Sequence, residues 1–68
     1  MVENYVRKYR QEQGLTLQEL AEKSGVPVST ISDIERGAEP RVVTAVLLAR
    51  ALGIRVERLW PCRDSGKP

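Results

Sequence analysis

Histidine and phenylalanine are missing from this chain of 68 residues, and cysteine occurs once, as Cys62. Without an imidazole, the side chain that most often moves protons near neutral pH is gone, and with it the usual activator of a serine or cysteine nucleophile. One thiol cannot close an internal disulfide, and a zinc site without histidine or a second cysteine would need an unusual ligand set. No metal, no cofactor and no enzymatic activity are therefore expected, and Cys62 reads as a plain reduced thiol. No apolar run approaches the ~20 residues that cross a bilayer, and the N-terminus has no apolar signal core. A cytoplasmic location away from the membrane is expected. A strong excess of one charge is missing too: eleven Lys and Arg face nine Asp and Glu, a net +2. That balance admits nucleic acid as a partner without requiring it.

What remains is 41% hydrophobic and 29% charged, an ordinary composition for a folded domain. A chain of this length buries only about 60% of its unfolded surface, so it has room for one core. Residues 1–61 are expected to form that domain, followed by a polar tail over 62–68.

Alternating β-branched runs are scarce, and the periodicity is helical. Val2, Val6, Tyr9 and Gln13 recur at helical spacing before Gly14, which predicts a first helix over Val2–Gln13. Thr16 and Glu19 have the spacing of a capping box opening a second helix, Leu17–Ser24, with Leu17, Leu20, Ala21 and Ser24 on one face. Gly25 stops it. Pro27 suits the start of a third helix, Val28–Arg36, which buries Ile31 and Ile34. After Gly37 and the Ala38-Glu39-Pro40 loop come a fourth helix from about Arg41 to Leu52 and a short fifth over Val56–Trp60. The expected fold is all-α, a compact five-helix bundle.

Two short helices joined by a tight glycine-containing turn form the smallest unit that presents a helix to a DNA major groove. Here the pair spans about residues 17–36. At 100° per residue, Ser29, Asp33 and Arg36 lie opposite Ile31 and Ile34, Thr30 and Ser32 flank them, and Val28 sits at the tip. Short polar side chains there suit base edges: Ser and Thr meet several acceptors, Asp a cytosine amino group, Val a thymine methyl. Arg36 and Arg41 flank the helix as candidate phosphate contacts. Arg10 and Glu35 each fall on an otherwise apolar face, and a charge in such a place needs a partner. A structural Arg10–Glu35 bridge is expected.

Leu20-Ala21, Gly25-Val26, Ser29-Thr30-Ile31-Ser32, Ile34-Glu35-Arg36-Gly37 and Ala51-Leu52-Gly53 resemble the Cro and phage-repressor type of helix-turn-helix, the XRE family. The resemblance runs from about Val6 to Trp60. It implies a lambda-repressor-like domain that binds double-stranded DNA, usually as a transcriptional repressor and often as a homodimer on a palindromic operator. It also implies an Arg on helix 1 paired with a Glu at the end of helix 3, which Arg10 and Glu35 match. Four positions depart from the family pattern. Leu17 replaces a glutamine that touches phosphate, which moves that contact to Gln18 or to the backbone. Pro27 replaces a capping serine. Val28 and Asp33 occupy reading positions where Arg, Gln or Lys is common, so each half-site is expected to be weak and a dimer favoured.

Helix 4 is apolar almost all round, with Ala45, Leu48 and Leu52 on one side and Val43, Val46 and Leu47 on the other. A helix apolar on every side is buried on every side. Either Val43, Leu47 and Trp60 form a dimer interface, or helix 5 and Trp60 cover this surface. Two rival functions use the same fold: an antitoxin-type regulator with a small protein partner, and a protein-interaction module that has given up DNA.

Overall fold

A computed structural model of the chain describes residues 3–61. These residues form five α-helices and no strand: α1 Val6–Glu12, α2 Leu17–Ser24, α3 Val28–Glu35, α4 Val42–Leu52 and α5 Val56–Leu59. Val2, expected in the first helix, and the tail over 62–68 with Cys62 lie outside the described residues.

The α2 helix is the hub, packing against both α3 and α4, while α1 lies on α3 and α4 and α5 closes on α4. Val6, Leu20, Ile31, Leu48 and Leu59, one from each helix, are fully buried, with Val26, Ile34, Ala49 and Leu52 around them. Burying side chains of this size stabilises a domain by roughly 1.5–3 kcal/mol each. A single core thus joins all five helices and fixes the attitude of α3.

The first helix is shorter than its periodicity predicts, because residues 3–5 have other hydrogen-bonding work. Asn4 donates from Nδ2 to the Ile34 carbonyl at 2.8 Å, and its Oδ1 accepts the Val6 N–H at 3.0 Å. The Tyr5 N–H donates to the Leu59 carbonyl at 2.8 Å. These bonds tie the chain to α3 and α5, and a helix continued through them would lose both. At the other end Gln13 leaves the helix and donates from Nε2 to the Leu52 carbonyl at 2.7 Å, satisfying an orphan acceptor at the end of α4.

The turn between α2 and α3 is built from the capping box onward. Thr16 Oγ1 accepts the Glu19 N–H at 3.0 Å, and Glu19 Oε1 accepts the Thr16 N–H at 2.8 Å. Gly25 ends α2 with φ +79°, a left-handed conformation that costs L-residues energy and glycine almost nothing. Buried Ser24 donates to the Leu20 carbonyl and accepts the Val26 N–H, so the turn carries its own polar closure. Pro27 precedes α3 without a side-chain cap.

Candidate nucleic-acid interface

With Ile31 and Ile34 buried, the rotation of α3 is set, and Ser29, Asp33 and Arg36 stand exposed along its outer face. Val28 is exposed at the tip, and Thr30 and Ser32 are half-buried on the two flanks. Gln18 is exposed on α2 and shares a shallow recess with Pro27 and Val28, which brings the first turn of α2 to the N-terminal end of α3. A second recess lies between α3 and the start of α4, lined by Thr30 and Asp33 on one wall and Glu39, Pro40, Arg41 and Thr44 on the other. All eight residues expected to meet DNA therefore lie on or beside α3.

Arg36 Nη1 lies 3.9 Å from Asp33 Oδ1, with side chains 77% and 65% exposed. A pair this loose and this wet contributes ~0–1 kcal/mol, so it orients Arg36 without holding it. Glu39, in the loop between α3 and α4, faces the same recess. This end of the domain thus sets two carboxylates, Asp33 and Glu39, beside two guanidinium groups, Arg36 and Arg41. Only an account of the α3–α4 recess finds Glu39, since no local sequence signal separates it from an ordinary loop acid.

Arg10 and Glu35 meet beneath this face. Arg10 Nε donates to Glu35 Oε2 at 2.8 Å, Nη2 to Oε1 at 3.2 Å and Nη1 to the Leu15 carbonyl at 2.9 Å. Their side chains are 11% and 9% exposed, so the pair is removed from water and from any ligand and its role is to hold α1 against α3. Among the described residues no cluster of three or more His, Cys, Asp or Glu is placed to hold a metal, and no helix is long and apolar enough to cross a membrane.

The outer side of α4 is covered only in part. Val42 and Val43 are 80% and 68% exposed, so α5 does not cover them. Val46 is exposed as well, at the edge of a groove that runs to Ile54 and Val56. Leu47 is only partly exposed and packs against the core, as does Trp60, whose indole N–H is buried without a hydrogen-bond partner.

A tight α2–α3 pair with a solvent-facing polar surface on the second helix is the working part of DNA-binding helix-turn-helix transcriptional regulators. The chain belongs to the helix-turn-helix family, in its Cro/C1-type or XRE branch: the family model matches residues 6–59. An HTH-type transcriptional regulator of Methanothermobacter thermautotrophicus, itself uncharacterized, is 47% identical over 49 residues, 71% of this chain and 71% of that protein. The HTH-type transcriptional regulator SinR of Bacillus licheniformis is 46% identical over 66 residues, 94% of this chain. The chain spans 60% of that regulator's length. The solved N-terminal DNA-binding domain of the master biofilm-regulator SinR from Bacillus subtilis matches with a TM-score of 0.78 and 32% identity, covering 97% of this chain and 100% of that domain. These relatives are transcriptional regulators, and no enzyme family is indicated.

Proposed function

We propose that this chain is a sequence-specific DNA-binding regulator that acts as a repressor, binding a palindromic operator as a homodimer. The observation that carries the reading is the outer face of α3, where Ser29, Asp33 and Arg36 project from a helix anchored by Ile31 and Ile34. Val28, Ser29, Thr30, Ser32 and Asp33 meet base edges in the major groove, while Gln18, Arg36 and Arg41 hold phosphates on either side. Likeness to a solved DNA-binding domain supports the same orientation. Repression is then steric: a dimer sets two α3 helices in successive major grooves, about 34 Å apart, and occupies promoter DNA that polymerase needs.

The apolar outer side of α4 supports the dimer. Val42, Val43 and Val46 form an exposed stripe that begins next to Arg41, an apolar surface of the kind a second copy covers. Leu47 adds to the shoulder of that stripe. Trp60 packs against the core and leaves the contact to the valines. The same stripe is what an antitoxin-type regulator would offer a small protein partner.

Fluorescence anisotropy with duplexes selected from a random pool, at two salt concentrations, tests the DNA reading. Tight binding to a palindrome that weakens steeply with salt is expected, because each phosphate contact releases a counterion. Equal, weak binding to selected and scrambled duplexes would overturn it. Sedimentation of the protein and of Val43→Glu tests the dimer: a wild-type dimer that the variant converts to monomer is expected. A wild-type monomer both free and on a palindrome would favour the small-partner reading.

A further inference from the structure

We infer that Asp33 is a selectivity device within the proposed interface: it suppresses binding to unrelated DNA and admits a cytosine amino group at one position of the half-site. The inference rests on α3 being the DNA-facing helix. Asp33 is 65% exposed on the outer face of α3, so it does no work in the core, and its Oδ1 lies 3.9 Å from Arg36 Nη1. It also lines the recess that holds Arg41 and Glu39. The carboxylate therefore stands among the cations that would bind phosphate and cancels part of their charge.

That placement has two consequences. On unrelated DNA, attraction to the backbone is all the protein can gain, and it scales with the phosphates its cations neutralise. Asp33 and Glu39 leave this end of the domain with two positive and two negative side chains, so such binding is weak. On the operator, a phosphate draws Arg36 away and Asp33 loses its partner at the mouth of the groove. A carboxylate offers only acceptors, so guanine O6 and N7 and thymine O4 repel it, and adenine sets N7 beside its amino group. Cytosine N4 presents a donor alone, and Asp accepts from it. Binding at full strength therefore requires cytosine opposite Asp33.

The test compares wild type, Asp33→Ala and Arg36→Ala on the selected operator, on a scrambled duplex and on operators changed one base pair at a time. An exposed Asp→Ala leaves the fold intact, which the melting temperature checks. Asp33→Ala should bind the scrambled duplex several-fold more tightly than wild type. Wild type should lose roughly tenfold or more when one C·G pair becomes T·A, and Asp33→Ala should lose less than twofold at that position. If Arg36→Ala weakens binding while Asp33→Ala leaves both the scrambled affinity and the base-by-base profile unchanged, α3 still reads DNA and the inference about Asp33 fails. If wild type does not distinguish operator from scrambled DNA and Arg36→Ala changes nothing, the DNA-facing assignment of α3 fails and this inference goes with it.

Discussion

Arg10 and Glu35 lie 25 residues apart in the chain and meet through two parallel hydrogen bonds, Nε to Oε2 and Nη2 to Oε1, at 2.8 and 3.2 Å. A third bond from the same guanidinium ends on the Leu15 carbonyl, so one side chain joins α1, the loop after it and the end of α3. The geometry supplies a partner to each group that burial strips of water. Arg10→Ala removes one partner and leaves the Glu35 carboxylate buried alone, an error that costs ~3–5 kcal/mol. A domain of this size has a total stability of roughly 3–10 kcal/mol, so the variant should be largely unfolded at moderate urea. Replacing both residues by leucine should cost markedly less than Arg10→Ala, because no charge is then stranded. Urea melts of the three proteins check this, and an Arg10→Ala cost below ~1 kcal/mol would contradict a structural role.

Thr16 and Glu19 satisfy one another's backbone N–H at the start of α2. Thr16→Ala removes the acceptor for the Glu19 N–H and should cost about 1 kcal/mol, whereas Thr16→Ser should be close to neutral. Thermal melts separate the two variants. Equal melting temperatures for wild type and Thr16→Ala would mean that water replaces the cap without loss.

Gly25 has φ +79°, and a Cβ built on it meets nothing within 4 Å. The cost of Gly25→Ala is therefore conformational and not steric, on the order of 1–2 kcal/mol for a left-handed L-residue. Gly25→Asn should recover part of it, since asparagine tolerates that region better. Because this turn sets α3 against α2, DNA affinity of the folded Ala variant should stay within a few-fold of wild type if the turn keeps its shape. A tenfold loss with full folding would show that the turn has opened.

The parts of this fold that could be read from the sequence are those specified by neighbours in the chain. Thr16 with Glu19, Gly25 and the Ile31/Ile34 spacing each have a local signature, and so placed α2, α3 and the turn between them. Arg10 and Glu35 were legible as charges on apolar faces, which burial alone makes conspicuous. The early start expected for α1 fails because Asn4 and Tyr5 bond to Ile34 and Leu59, residues 30 or more positions away that no periodicity reveals. Gln13 recurs at helical spacing with Val6 and Tyr9, yet its side chain bonds to the Leu52 carbonyl, 39 positions away, which no periodicity reveals either. Leu47 was set beside Val43 by the apolar character of α4, yet it packs against the core while Val43 stands free. Glu39 has no local signature, because its place beside Asp33 and Arg41 depends on how α4 closes on α3.

Arg36 and Arg41 are the cations on either side of α3, and their environments differ. Arg36 has Asp33 at 3.9 Å, whereas Arg41 precedes α4 at the far wall of the recess. Each arginine replaced by alanine should weaken binding to operator and unrelated duplexes and lower the salt slope by about 1, the signature of one lost phosphate contact. The size of the loss should differ between them. On unrelated duplexes, where Asp33 has no cytosine to accept from, Arg36→Ala also leaves that carboxylate facing the DNA backbone without its neighbouring cation, so there it should cost more affinity than Arg41→Ala. Removing Asp33 as well should return part of that loss, whereas Asp33→Ala should add to Arg41→Ala with little coupling. A double-mutant cycle by fluorescence anisotropy reads both quantities. Equal losses for the two arginines, with no recovery in the Arg36/Asp33 double variant, would mean that the 3.9 Å pair has no bearing on DNA binding.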